Sequence, residues 1–243
     1  RPGPVPAHYG GHDIQQRRQD TEEEHLRLQG GVYDEGYVVG PDDVGESSLV
    51  GAPDLQNLCV RVLHGLGARP RHDPLRIWVL GCSTGQEAYS IAMAFVETAD
   101  KAPRMRKLQV FATDLNEALL DKARHGLYAK NIAQDLSPER LRRFFVEEEG
   151  GYRVGKALRE MIVFARQNVM SDPPFSRMDI ISCRNLLIYF QPLAQKKVLS
   201  LFHFGLRTDG ILLLGPSETP GHFADEFEAL DKRWKLYRKR RDI

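Results

Sequence analysis

The sequence predicts an α/β protein in which a mostly parallel β-sheet is covered by helices on both faces. Two observations indicate this class. From residue 75 onward, short apolar segments typical of buried strands alternate with helical segments, and such alternation is characteristic of parallel sheets. The chain of 243 residues is also 42% hydrophobic and 28% charged, which suits a folded protein with one sizeable core.

The chain before residue 75 divides into two parts. Residues 1–46 are rich in Gly, Pro and charged residues, so we expect a polar N-terminal extension with little core of its own. Residues 47–74 are expected to form a linker and a packing helix, because apolar residues recur there at helical spacing. These residues are Leu55, Leu58, Val62 and Leu66.

The predicted α/β domain covers residues 75–243. Its predicted strands are LRIWVLG, KLQVFATD, EMIVFARQNV, MDIISCR and GILLLGPS, with a last strand in the tail KRWKLYRKRRDI. Its predicted helices run from Gln86 to Thr98, from Asn116 to Gly126, and through PLAQKKVLSLFHFGLR with Pro192 in the first turn. Ligands of such sheets bind beyond the carboxyl ends of the strands.

One segment interrupts the alternation. After a helix that begins at Ser-Pro-Glu, the short strand candidates FFVEE and YRVGK are joined through Gly150 and Gly151. This pattern predicts a hairpin. We therefore expect a small antiparallel β-subdomain, at about residues 137–160, inserted into the parallel fold.

Composition excludes several classes of protein. The net charge of +1 gives no general attraction to nucleic acid, and no apolar run reaches the roughly 20 residues that span a bilayer. The three cysteines form no CxxC motif, so neither a disulfide framework nor a metal site is expected. Because no apolar signal segment occurs near the N-terminus, we expect a cytoplasmic protein. The sequence begins without Met, so we expect part of a longer chain.

The stretch GCSTGQE follows the first predicted strand and leads into a helix. Gly81 and Gly85, with Ser83 between them, would let the backbone turn sharply and approach a ligand. No Lys follows Gly85, so this is not the phosphate loop of ATP-binding proteins. Packing between strand and helix would equally explain such glycines.

Asp114 ends the second predicted strand, where an acid can accept hydrogen bonds from ribose hydroxyls. The alternative is that Asp114 or Asn116 caps the following helix, but one capping residue would be enough. A glycine turn after the first strand and an acid after the second indicate a cofactor that carries adenosine. They do not separate a nicotinamide dinucleotide from S-adenosylmethionine.

Arg184, Asn185 and Tyr189 follow a buried strand at the ligand-binding edge. The carboxylate of a bound amino-acid moiety would be a suitable partner for the arginine. The alternative is that Arg184 pairs with Glu218 or Asp179. Tyr189 could equally be a half-buried core aromatic with an exposed hydroxyl.

Residues 75–238 resemble the catalytic domain of the chemotaxis receptor glutamate O-methyltransferases, the CheR family, and especially its versions fused to a methylesterase. The matching stretches are RIWVLGCSTGQEAYSIAM, VFATDLNEALLDKARHGLY, GGYRVGKALREMIVFARQNVMSDPPFSRMDIISCRNLLIYF and GILLLGPSET. The resemblance implies a Rossmann-like methyltransferase fold, S-adenosylmethionine as cofactor and a carboxylate as methyl acceptor. The hairpin around Gly150 and Gly151 also resembles the β-subdomain that, in some members of the family, docks a tethering peptide of the receptor.

The resemblance further implies a role for each matching residue. Glu87 corresponds to the glutamate that contacts the cofactor from the first helix, and Asp114 to the acid that binds ribose. The other correspondences are Asn168 and Val169 beside the adenine, Arg184 and Asn185 beside the methionine portion, and Tyr189 near the transferable methyl group. Arg184 and Tyr189 are the predicted catalytic residues.

The segment before Pro53 departs from the family pattern. Where the family has Asn-x-Thr-x-x-x-Arg, this chain has Gly45, Ser47 and Gly51. Ser47 keeps a hydroxyl for the cofactor, whereas the arginine is lost. Three functions therefore stay open. The first is methyl transfer to a carboxylate, either of a protein glutamate or of another acid on a peptide or small molecule. The second is methyl transfer to a different nucleophile, with the unusual N-terminal segment shaping the pocket, and the third is cofactor binding without activity in a sensory or scaffold module.

Overall fold

A computed structural model describes residues 62–66, 73–101 and 106–242. Ten strands lie within these residues: β1 Leu75–Leu80, β2 Leu108–Asp114, β3 Leu127–Tyr128, β4 Phe145–Glu148, β5 Gly151–Val154, β6 Ile162–Arg166, β7 Met178–Cys183, β8 Leu206–Leu214, β9 Phe227–Asp231 and β10 Leu236–Lys239. The α-helices described there are α1 Gln86–Ala99, α2 Glu117–His125, α3 Pro138–Phe144, α4 Lys156–Arg159 and α5 Pro192–Gly205.

Seven strands form the main sheet, in the order β6-β2-β1-β7-β8-β10-β9. The first five in this order are parallel to one another, and β10 and β9 extend the sheet in antiparallel fashion. Every residue of β7 is buried, as are five of the six residues of β1, so both faces of the central strands are covered. The predicted α/β class is confirmed.

The helix that follows β1 is the most deeply buried helix described. Nine of the fourteen residues of α1 are buried. Trp78 of β1 is fully buried against Phe175 and against Phe202 of α5, and its indole N–H donates a hydrogen bond to Thr113 Oγ1 at 2.9 Å. A buried tryptophan needs such a partner for its polar atom, so this bond fixes β1 against β2.

The second helix begins and ends where the sequence predicts. Asn116 Oδ1 accepts hydrogen bonds from the backbone N–H groups of Ala118 and Leu119, and Gly126 closes the helix at φ +62°. A side-chain cap at the start and a left-handed glycine at the end satisfy the terminal backbone groups. The start and the end of α2 are therefore set by Asn116 and Gly126 themselves, without contacts from distant parts of the chain.

A second sheet of three strands has the order β3-β5-β4. Its hairpin turns at Gly150, with φ +97°, as the sequence predicts. The sheet is wider than the expected subdomain, because Leu127–Tyr128 pairs with β5 from outside residues 137–160. Gly151 permits this pairing, since a Cβ there would lie 1.8 Å from the carbonyl oxygen of Tyr128.

Two features near the C-terminus differ from the prediction. The helix expected through Arg207 ends at Gly205, and β8 begins at Leu206 because that residue pairs with Met178 of β7. β9 was not predicted from the sequence; it pairs with the predicted last strand, β10. In the first case pairing with the distant strand β7 decides the structure. In the second case the partner is only four residues away, but the connecting residues 232–235, KRWK, contain none of the Gly, Pro, Asn or Asp residues that signal a hairpin turn.

Residues 62–66 are helical, as the packing helix predicts, and Leu66 is buried there. Leu55, Leu58 and the extension over residues 1–46 lie outside the described residues. Among the described helices, none has the length and apolar character needed to cross a membrane.

Candidate functional site

The strand order brings the predicted site residues to one edge of the main sheet, which we call the carboxyl rim: the loops that follow β6, β2, β1 and β7. These four strands are adjacent and parallel. Asn168 therefore lies beyond β6, Asp114 at the end of β2, Gly81 just after β1, and Arg184 just after β7. At about 4.8 Å per strand, the rim from β6 to β7 spans about 14 Å.

The two glycines of the first loop have different reasons to be glycine. Gly81 is exposed at φ +60°, and a Cβ there would be only in ordinary contact with Leu186. Gly85 is buried at φ +87°, and a Cβ would lie 2.9 Å from Ala123 and 3.0 Å from the ring of Phe164. Packing thus explains Gly85, whereas Gly81 faces outward at the rim. A cofactor contact by either glycine stays a prediction.

The Asp114 carboxylate connects two of the loops. Its Oδ2 accepts a hydrogen bond from the backbone N–H of Ser83, and its Oδ1 accepts one from that of Asn116, both at 2.9 Å. Asn116, not Asp114, caps the following helix. An ionised carboxylate has about four lone-pair sites, so the half-buried Asp114 can still accept hydrogen bonds from ligand hydroxyls.

Glu87, Ser182 and Arg184 form a hydrogen-bonded group between β1 and β7. The Ser182 hydroxyl donates to Glu87 Oε1 at 2.5 Å, and Arg184 Nη1 lies 3.4 Å from Glu87 Oε2. The alternative pairing of Arg184 with Glu218 or Asp179 is wrong, because Arg184 pairs with Glu87 in the first turn of α1. Sequence reasoning missed Ser182, whose signal was a hydroxyl in an apolar strand.

Glu218 was also missed as a residue that shapes the rim. Its buried carboxylate accepts hydrogen bonds from the backbone N–H groups of Asn185 at 3.2 Å, Leu186 at 2.9 Å, Leu187 at 2.7 Å and Gly215 at 2.6 Å. The only sequence signal was its place in the GPSET stretch after β8. Glu218 links the loop after β8 to the loop after β7.

The remaining predicted residues lie on either side of this group. Asn168 occupies a tight turn after β6, in which its Oδ1 accepts a hydrogen bond from the N–H of Met170 at 2.9 Å, and Val169 is half-buried beside it. Tyr189 ends a 3₁₀ turn after β7 and is 45% exposed. This exposure agrees with a half-buried aromatic as well as with a residue beside the methyl group, so both interpretations of Tyr189 stay predictions. Ser47 and Gly51 lie outside the described residues.

The rim carboxylates act on two buried thiols next to them. Burial raises the pKa of the Cys82 thiol strongly, and the charges of Asp114 and Glu87 raise it further. The pKa of the Cys183 thiol is raised in the same way by burial, then by Glu218 and Glu87. Both thiols therefore stay protonated at neutral pH, and the rim favours a cationic ligand.

These groups fit a cofactor made of adenosine, a sulfonium and an amino acid. A carboxylate is present for hydroxyl groups, a negative field for a cation, and a guanidinium for a carboxylate. In the described ranges, no three His, Cys, Asp or Glu side chains are grouped so that they could hold a metal ion.

Comparison with known families matches residues 51–236 to the CheR methyltransferase, SAM binding domain. An uncharacterized 104.1 kDa protein of Rhodobacter capsulatus is 44% identical over 163 residues, which cover 67% of this chain and 17% of that protein. The chemotaxis protein methyltransferase of Vibrio parahaemolyticus is 40% identical over 160 residues, covering 64% of this chain and 58% of the relative. That of Escherichia coli is 37% identical over 169 residues, covering 66% and 57%.

This chain spans less than two thirds of the length of each of these relatives. The match confirms the family and the cofactor expected from the sequence motifs. The expected likeness to methylesterase fusions and the roles of individual residues stay predictions.

Proposed function

Because the chain belongs to the CheR methyltransferase SAM-binding domain family, we propose that it transfers a methyl group from S-adenosylmethionine to the carboxylate of a protein glutamate. The observation that carries the proposal is the order of groups along the carboxyl rim. From β6 to β7 these groups are a turn with Asn168, the Asp114 carboxylate, the outward Gly81 and the Glu87–Arg184 pair. This order matches that of adenine, ribose, sulfonium and amino acid in the cofactor.

In this proposal each part of the cofactor has its own residues. Asn168 and Val169 flank the adenine, and Asp114 accepts hydrogen bonds from the ribose hydroxyls. Arg184 and Asn185 hold the methionine end, where Glu87 provides the negative charge that suits an ammonium group. Tyr189, exposed just beyond β7, lies beside the reacting methyl group.

When bound, S-adenosylmethionine supplies a methyl group on a sulfonium sulfur; its transfer to an oxygen forms an ester and leaves a thioether. A glutamate acceptor is ionised at neutral pH, because its ordinary pKa is about 4.3. The rim therefore needs no strong base. Its work is to align the two reactants, which can supply about 7–11 kcal/mol of the barrier.

The rim also limits side reactions. Cys82 lies in the glycine turn, and a thiolate there would compete for the methyl group. Burial and the charges of Asp114 and Glu87 keep this thiol protonated by raising its pKa, and a protonated thiol is a poor nucleophile. The same carboxylates thus serve the cofactor and protect it.

Transfer of a tritiated methyl group tests the function. The chain is incubated with labelled S-adenosylmethionine and the cytoplasmic domain of a chemotaxis receptor, and the product is treated with mild base. A methyl ester releases the label as volatile methanol. Label that resists base would contradict the carboxylate acceptor, and binding without incorporation into any acceptor would favour a sensory or scaffold module.

A docking peptide on the β-subdomain belongs to the same proposal. β4 is an edge strand of the three-stranded sheet, and Val146 on it is 57% exposed. An extended peptide could add to this edge as a further strand. We expect Val146→Asp to abolish binding of a labelled receptor-tail peptide. Val163→Asp is the control, because Val163 is also exposed but lies on β6 of the main sheet, and it should leave the binding unchanged.

A further inference from the structure

We propose that Glu218 is a positioning residue that shapes the methionine side of the cofactor pocket without touching the cofactor. The inference rests on the proposed cofactor site. Glu218 is 3% exposed, and in the part of the chain that the structure describes its carboxylate binds four backbone N–H groups. Three of these belong to the consecutive residues Asn185, Leu186 and Leu187.

The backbone N–H groups of these three residues form a concave anion-binding site, and the Glu218 carboxylate occupies it. Asn185 is left-handed at φ +56°, and Leu186 follows in the right-handed helical region at φ −114° and ψ −43°. Alternation of this kind points successive N–H groups at one anion. The left-handed conformation of Asn185 is strained for a residue other than glycine, and the hydrogen bonds to the Glu218 carboxylate stabilise it.

The loop after β8 is built to bring the carboxylate this close. A Cβ on Gly215 would lie 2.7 Å from Glu218 Oε2 and 2.7 Å from the backbone nitrogen of Asn185. Only glycine leaves room for the acid and the β7 loop together. The Gly215 N–H itself donates the shortest of the four hydrogen bonds, at 2.6 Å.

The chemistry requires a carboxylate at this position. All four partners are donors, so the side chain must be an acceptor at both ends. A glutamine would present an NH₂ group to two N–H donors and leave them buried without a partner. Buried donors without a partner destabilise the conformation of the loop that holds them.

The consequence is local to one half of the pocket. Residues held by Glu218 lie directly between Arg184 and Tyr189 in the chain, and Leu186 packs against Gly81 of the glycine turn. The adenine and ribose side, formed by the loops after β6 and β2, has no hydrogen bond to Glu218 among the described residues. Loss of Glu218 should therefore weaken recognition of the methionine end alone.

Two ligands separate these halves. S-adenosylhomocysteine carries the amino-acid end, whereas 5′-methylthioadenosine has the same nucleoside without it. We expect Glu218→Gln to weaken the affinity for S-adenosylhomocysteine by about tenfold or more and that for 5′-methylthioadenosine by less than about twofold. Calorimetry on the whole chain measures both values, and circular dichroism verifies folding.

Asp231→Asn is the matched control. Asp231 Oδ1 accepts hydrogen bonds from the backbone N–H groups of Arg233 and Trp234 at 2.9 and 3.0 Å, at the other end of the strand order. This change also converts a carboxylate that binds backbone amides into an amide. It should leave the ratio of the two affinities unchanged.

Glu218→Asp decides the matter if the glutamine variant does not fold. It keeps the charge but is shorter by one methylene group, so the ratio should shift in the same direction by a smaller factor. A folded Glu218 variant whose ratio equals that of the wild type would overturn the inference. A wild-type chain that binds neither ligand would overturn it together with the cofactor site, whereas binding without methyl transfer would contradict only the proposed activity.

Discussion

The two ends of the parallel strands use carboxylates in opposite ways. At the end where the strands begin, which we call the amino edge (Asp73, Arg106, Asp179 and Arg207), carboxylates face guanidinium groups. Arg106 Nη2 lies 3.1 Å from Asp179 Oδ2, and Arg207 binds Asp73. At the carboxyl rim Glu87 also pairs with a guanidinium, that of Arg184, but Asp114 and Glu218 face backbone N–H groups instead.

The difference separates stability from function. Charges at the amino edge neutralise one another, and the Arg207 hydrogen bond holds the pKa of Asp73 below its ordinary value. Backbone amides satisfy a carboxylate without neutralising it by a full charge. Asp114, whose hydrogen bonds in the described residues come from backbone N–H groups, therefore keeps unused lone pairs that a hydroxyl-bearing ligand can use.

The largest effect is expected from breaking the amino edge. Arg106→Ala would remove the cation that lies closest to the buried Asp179, leaving Arg207 Nε at 4.0 Å; the Arg106 and Asp179 side chains are 3% and 5% exposed. Removing one partner of a buried pair costs about 3–5 kcal/mol, measured as the free energy of unfolding in urea. The affinity of the folded fraction for S-adenosylhomocysteine should not change.

Arg143→Ala is the control for this prediction, because Arg143 pairs with Asp100 on the surface, where the side chains are 37% and 51% exposed. An exposed pair contributes about 1 kcal/mol or less. Equal losses for the two variants would contradict the role given to the amino edge.

The two rim glycines give the next largest effect. Gly85→Ala combines a left-handed backbone with a clash against Ala123, and should cost about 2–4 kcal/mol of unfolding free energy. Gly81→Ala meets only ordinary contacts, so about 1–2 kcal/mol is expected. Urea unfolding of both variants measures the two losses of unfolding free energy. A larger loss for Gly81→Ala than for Gly85→Ala would show that packing does not distinguish the two glycines.

The smallest effect is a pH dependence from the region beside the amino edge. Burial, and then the charge of Lys239, lowers the pKa of His203 from its ordinary value of 6.5. The unfolded chain then binds a proton more readily than the folded chain. The free energy of unfolding therefore falls as the pH drops from about 6.5 towards the lowered pKa of the folded state. The slope is less than about 1.4 kcal/mol per pH unit. His203→Gln should flatten the unfolding free energy between about pH 7 and pH 5; an unchanged slope would exclude His203 as its source.

Local signals made the elements predictable. Asn116 and Gly126 mark the limits of α2, and Gly150 marks the hairpin, because each satisfies a backbone requirement within a few residues. Asp114, at the end of β2, and Arg184, just after β7, could be selected as site candidates because ligands of parallel sheets bind at the carboxyl ends of strands.

Contacts between distant segments could not be read in the same way. The strand order that places β6 beside β2, the partner of Arg184, and the bonds of Glu218 to residues 185–187 all join positions 31 or more residues apart. A sequence pattern indicates the chemistry of a residue, but it does not show which distant part of the backbone that residue will contact. The buried polar side chains Ser182 and Glu218 were missed for this reason.

Calorimetric titration of S-adenosylhomocysteine into the wild type, Asp114→Ala and Arg184→Ala tests the carboxyl rim most directly. Asp231→Ala and Arg140→Ala serve as matched controls, since Asp231 also binds two backbone amides and Arg140 also pairs with a glutamate, Glu97. We expect each rim variant to lose affinity by about tenfold or more, equal to 1.4 kcal/mol or more, and the controls to bind as the wild type does. Unchanged affinity in both rim variants would contradict a cofactor held across the carboxyl rim.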